Sequence, residues 1–245
     1  MAFMALSPFI AFVLWYILWR TCKKNKIRKY LKGKRSETIR RGFPECVYEP
    51  TVHHFSKHYF KKHSHGNWFE MFLGSASFKG MCSDVHMDEA ILSYSNSDAG
   101  DNDEYPRYYQ TIILSCRLPQ GSILNMPGEV TFVEPGSMNF CGRRKKYKLS
   151  DSYYYAVLER TDYDDRWIYC FEHGLAEKLI DLFKPFRADF LTFSGNMLTF
   201  GISICYTHLK FEFTEKHDYV VRFLDELRDT VMKIHMIANW VPDRP

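Results

Sequence analysis

Recognisable catalytic chemistry is what this chain most lacks. It has no G-x-S-x-G elbow for a serine nucleophile and no G-x-x-x-x-G-K-[ST] loop to cradle phosphate. It also has no G-x-G-x-x-G turn for a dinucleotide and no H-E-x-x-H pair for zinc. The seven cysteines are Cys22, Cys46, Cys82, Cys116, Cys141, Cys170 and Cys205, and no two stand within four residues of each other. That excludes the short C-x-x-C motifs of zinc and redox sites. There is no N-x-Ser/Thr sequon, and the cysteine count is odd, as suits a reducing compartment. No cofactor is expected.

Charge is unevenly missing. Met1 to Trp19 carry none, and Arg20 to Arg41 carry eleven Lys or Arg against the single acid Glu37. Without those twelve charges, 22 basic and 28 acidic side chains remain, so residues 42–245 are net acidic at about −6. The overall +4 therefore belongs to one short stretch. A basic charge confined there argues against nucleic acid as a partner.

The uncharged stretch MAFMALSPFIAFVLWYILW predicts a single transmembrane helix over residues 1–19. Nineteen residues at about 1.5 Å each approach one hydrocarbon thickness of roughly 30 Å. Trp15, Tyr16 and Trp19 suit the lipid–water boundary. The alternative starts the helix at Pro8 behind a Ser7 cap, which leaves twelve apolar residues, too few to span. A cleaved signal peptide fits less well, because the basic residues follow the apolar run and no small-x-small site comes after Trp19. The positive-inside rule then places the N-terminus outside and the rest in the cytoplasm of a cell-membrane protein. Residues 20–50 read as a basic juxtamembrane linker, with Lys23, Lys24, Lys26, Arg28 and Lys29 on the anionic lipid surface. Cys22 lies where acylation would be feasible.

Residues 51–245 predict one cytosolic α+β domain, rich in antiparallel sheet and closed by a long C-terminal helix. Thr51 to Lys62 reads as a short amphipathic helix, with Val52, Phe55 and Tyr59 on one face. Ile91 to Tyr94, RYYQTIILSCRL from Arg107, Glu129 to Val133, Ser152 to Arg160, Arg166 to Phe171 and His208 to Phe213 read as strands. Asp162 to Asp165 is expected to be the turn before Arg166. Glu172 to Lys184 reads as a helix stopped by Pro185, and Ser194-Gly195-Asn196 as the turn of a hairpin. After Thr214, the residues Val220, Leu224, Leu227, Val231, Ile234 and Ala238 form a narrow helical seam. That seam would pack on the sheet or join a coiled coil.

Five histidines crowd residues 52–66. On one helix, His54 and His58 would stand at i, i+4, a metal-ligand spacing, with His63 or Glu70 as a third ligand. Lys57, Lys61 and Lys62 interleave with them and disfavour a cation, so a solvated basic face is the competing reading. Either way the imidazoles would respond to pH. A second basic cluster, Arg143, Arg144, Lys145 and Lys146 with Lys148, would meet anionic headgroups or an acidic partner, or simply balance nearby acids. Asp98, Asp101, Asp103 and Glu104 lack the ligand order of a calcium loop.

NWFEMFLGSASFKG, YYQTIILSCRLP, YAVLERTDYDDRWIYCFEHGLAEKLIDLFKPF and LTFSGNMLTFGISI follow one another before the final helix. In that order they resemble an uncharacterised family of bacterial membrane-anchored proteins, over residues 67–240. Members of that family commonly carry more than one transmembrane segment, where one is expected here. The resemblance implies location and fold class and transfers no catalytic residue. The functional expectation is a non-enzymatic, membrane-anchored interaction or adaptor module that binds a protein partner or the anionic bilayer. The alternatives are a tethered enzyme using His173 with Asp162 to Asp165, and a metal- or pH-responsive module.

Overall fold

The structure is a computed structural model. It describes residues 8–19, 21–22, 25, 37, 39–40, 42–44, 46–49, 51–62, 68–78, 84–94, 107–126, 130–133, 145–148, 154–157, 164–183, 188–206 and 217–242. Helix α1 covers residues 8–19. Among the described residues no helix is long and apolar enough to cross a membrane. This overturns the expected transmembrane helix over residues 1–19.

The α+β character and the antiparallel sheet are present. Six strands lie in the order β1-β2-β3-β4-β9-β8, every neighbour antiparallel. They are β1 (Val47–Glu49), β2 (Trp68–Ser77), β3 (Val85–Tyr94), β4 (Arg107–Arg117), β8 (Ala188–Ser194) and β9 (Met197–Tyr206). A smaller sheet, β5-β7-β6, joins β5 (Val130–Val133), β7 (Tyr154–Val157) and β6 (Lys145–Lys148). The β8–β9 hairpin turns through Gly195 at φ +57°, a left-handed conformation that glycine adopts without strain.

One face of the large sheet carries the main core. Val85, Met87, Ile112, Leu114, Cys116, Leu198, Phe200 and Ile202 are buried there. Helix α5 (His217–Ala238) closes this face with Leu227, Val231, Ile234, Ile237 and Ala238, so the described part of the seam packs onto the domain itself. Ile39, Phe43, Cys46 and Tyr48 belong to the same core, so part of the stretch read as a linker is packed into the domain. Arg228 of α5 lies over the Phe43 ring and donates to the Gly42 carbonyl.

The sequence RWIYCF was expected as a strand and is helical. Helix α3 (Asp164–Cys170) starts at the acids expected to form a turn, and acids are favoured in a first helical turn. Trp167, Cys170 and Phe171 fall at i, i+3 and i+4 and bury one face, with Trp167 packed 5.1 Å from Phe193 between ring centroids. At Phe171–Leu175 the chain kinks, with His173 (φ −104°, ψ 32°) and Gly174 (φ 99°, ψ −5°) outside helical values. It then continues as α4 (Ala176–Phe183). Lys233 ties α5 to α4, at 2.9 Å from Asp181 and 2.7 Å from Asp229.

The opposite face holds a smaller cluster. Helix α2 (Lys57–Lys62) sets Phe60 onto Ala90, Leu92 and Ile113, with Phe55, Tyr59, Phe69 and Phe72 around it. Two register shifts in β2 make this possible. Phe69 pairs with Leu92, Phe72 with Ala90, and Ser75 with Asp88, so residues three apart reach the same face.

Candidate functional site

Two places stand out, one apolar and one polar. The apolar one is α1. Phe9, Ile10, Phe12, Val13, Leu14, Trp15, Tyr16, Ile17, Leu18 and Trp19 are between 37% and 66% exposed. With Ala11, also exposed, they fill every position from 9 to 19, so every face of the helix there is apolar and open. Its rings also contact each other: Trp15 stacks on Trp19 at 6.3 Å, and Phe12 lies 6.0 Å from Trp15. A solvent-facing helix normally shows one polar side. Just beyond it, Thr21 donates to the Ile17 carbonyl and Cys22 is exposed.

The expected lipid-contacting residues Lys23, Lys24, Lys26, Arg28 and Lys29 lie outside the described residues, as do Arg143 and Arg144. Lys145 and Lys146 open strand β6, which pairs with β7. The acidic stretch at residues 95–106, the expected strand at 208–213, and Asp162 and His63 also lie outside them.

The polar site is built on β3. Its alternation places Val85 and Met87 in the main core, while His86, Asp88, Ala90 and Leu92 face the other way. Asp88 is 1% exposed and accepts three hydrogen bonds from the segment before α2. Its Oδ2 takes the backbone N–H of His54 at 2.6 Å and of Phe55 at 2.8 Å. Its Oδ1 lies 3.0 Å from His54 Nδ1. A carboxylate only accepts, so His54 carries its proton on Nδ1. The His86 ring lies 5.3 Å from that of His54, and its Nδ1 is 3.2 Å from Ser77 Oγ. Burial and then the neighbouring His54 hold His86 below the usual imidazole range; Asp88 and Asp84 pull it upward and Arg117 adds to the lowering.

This arrangement differs from the one expected around His54 and His58. Helix α2 begins only at Lys57, where Ser56 Oγ accepts the Tyr59 N–H at 3.2 Å. His54 precedes the helix and turns to Asp88, so it shares no helical face with His58. Among the described residues no group of three or more His, Cys, Asp or Glu is placed to hold a metal. A Ser–His–Asp relay is not formed either. Such a relay needs one imidazole between hydroxyl and carboxylate, whereas Ser77 meets His86 and Asp88 meets His54.

His173 sits at the α3–α4 kink. Its Nδ1 lies 2.7 Å from the Tyr169 carbonyl, and its ring stacks on Tyr169 at 4.0 Å. Asp164 and Asp165 stand at the far end of α3 from it. Among the described residues no hydrogen bond or ion pair joins His173 to an acid. The thiols of Cys46 and Cys170 are both pushed up to about 11, chiefly by burial, with Glu89 adding to the rise at Cys46 and Arg166 opposing it at Cys170. Thiols so placed are poor nucleophiles. Glu89 is buried on the core side of β3, where Gln110 Nε2 donates to it at 3.3 Å.

Asp88 and its union with His54 were missed in the sequence, because DVHMDEA alternates too weakly to read as a strand. The available signal was His86-x-Asp88 leading into the apolar Ala90, Ile91 and Leu92.

No family model, no curated protein and no solved structure matches the chain.

Proposed function

We propose that this chain is a membrane-surface module without chemistry of its own, which brings its sheet domain to an anionic bilayer. The observation that carries this is α1, twelve apolar residues exposed on all faces. A protein groove covers one side of a helix, whereas lipid surrounds it. Among the described residues no helix is long and apolar enough to cross a membrane, so α1 is read as embedding without crossing. Each of its ten large side chains would gain roughly 1 kcal/mol or more on leaving water. The eleven basic residues that follow supply electrostatic attraction, on the order of 1 kcal/mol each near an anionic surface. An apolar insertion with a polybasic stretch is the two-signal combination that gives stable attachment. The cytoplasmic leaflet, being anionic, is the surface such a collar suits.

Vesicle flotation tests this. The full chain should float with phosphatidylserine-containing vesicles, and binding should weaken as salt rises. Arg143→Glu combined with Lys145→Glu should reduce binding further if the second cluster also touches lipid. A full chain that stays at the bottom of the gradient at every salt concentration overturns the proposal.

A further inference from the structure

The segment Thr51 to Lys62 lies across the outer face of the sheet like a strap, and its attachment has two parts. The C-terminal part is apolar: Phe60 is buried, its ring 5.9 Å from Phe72 and 6.4 Å from Phe69. His53 stacks on Phe72 at 3.8 Å, and Lys57 lies over the Phe69 ring at 5.5 Å. The N-terminal part is polar and rests on one side chain, Asp88, through the three hydrogen bonds from His54 and Phe55. Among the described residues, five charged or titratable groups face this point. His54 comes from the strap, His86 and Asp88 from β3, Asp84 from the turn before it, and Arg117 from β4.

We propose that His54, His86 and Asp88 form a proton-sensitive latch that secures the strap while His86 is uncharged and loosens it when both rings are charged. The reason is charge balance. Asp88 supplies one buried negative charge beside two imidazoles 5.3 Å apart. One imidazolium next to Asp88 is a matched pair. A second one faces the first, with the Arg117 guanidinium adding to the repulsion and the exposed Asp84 offsetting part of it. The Ser77 hydroxyl can donate to the His86 ring while it is neutral, so that nitrogen has a partner without carrying a charge. When the latch loosens, the chain opens from His54 toward Phe60. That uncovers the apolar patch of Ala90, Leu92 and Ile113 under α2. Mild acid would therefore bare a second apolar surface on a domain whose main core, on the other face, stays closed. This inference does not depend on the membrane proposal.

Native-state hydrogen exchange on the full chain, corrected for intrinsic rates, tests it. Between about pH 7.5 and about pH 5.5, amide protection at His54, Phe55 and Phe60 should fall about tenfold. Protection over Leu227 to Ile237 in α5 should hold. In His86→Gln the loss over the strap should vanish; should that variant not fold, His54→Gln makes the same comparison at a half-exposed ring. Unchanged strap protection in the native chain overturns the latch. So does an equal acid response in the variants, or a loss shared by α5, which would mean global unfolding.

Discussion

At the scale of single residues, Asp88 has the largest expected consequence. It is buried and holds two backbone N–H groups and an imidazole. Asp88→Ala would leave those donors unsatisfied, at about 1–3 kcal/mol for a buried polar group. Urea denaturation should therefore show a loss of about 2–4 kcal/mol; less than about 0.5 kcal/mol would mean that the segment needs no anchor there. His86 adds a pH dependence whose sign follows from its lowered position. The unfolded chain binds the proton more readily, so this stability is present above roughly pH 6.5 and is lost as pH falls through the folded value. Asp88→Asn separates the two effects, because it keeps the shape and removes the charge. The thiols offer a simpler check. Cys22 is exposed, whereas Cys46, Cys116 and Cys170 are buried. In the folded protein, iodoacetamide should label Cys22 at least ten times faster than those three, as read by mass spectrometry. Equal labelling would contradict the packing around β1, β4 and α3.

At the scale of elements, strands announced by a β-branched run or by turn residues were legible and the others were not. Arg107–Arg117 announces itself by its β-branched and aromatic run, and the β8–β9 hairpin by Ser194-Gly195-Asn196. Trp68–Ser77 reads as a mixed stretch because its two register shifts place Phe69, Phe72, Ser75 and Ser77 on one face, which breaks the period of two. The segment from Arg166 has the opposite problem. Its aromatic and β-branched residues favour a strand by propensity, yet Trp167, Cys170 and Phe171 match a helical face. Tertiary burial decided the matter. Trp167→Ala removes a ring packed between Phe171 and Phe193 and should cost about 3–5 kcal/mol by thermal or urea unfolding. A cost under about 1 kcal/mol would place Trp167 outside the core. By contrast, Lys233→Met, which severs the links to Asp181 and Asp229, should change stability by no more than about 1 kcal/mol, because both acids are solvent-exposed.

At the scale of the whole molecule, charge and hydropathy divide the chain into an apolar helix, a basic stretch and an acidic domain. That division was legible from composition alone. What the apolar stretch becomes was not: nineteen uncharged residues suggested a span, and among the described residues no helix is long and apolar enough to cross a membrane. The border of the domain was also hidden, since Ile39 and Phe43 pack into the core from within a stretch that reads as linker. The candidate polar site depended on strand register and on a side chain 34 residues from its partner, neither of which local periodicity reports. The central claim is that α1 embeds in lipid. Flotation of the full chain beside Phe12→Glu combined with Ile17→Glu tests it most directly, on vesicles containing phosphatidylserine. The native chain should float, and the double variant, with two charges on a helix otherwise surrounded by acyl chains, should lose at least tenfold in the bound fraction. Equal flotation of the two proteins would contradict the account.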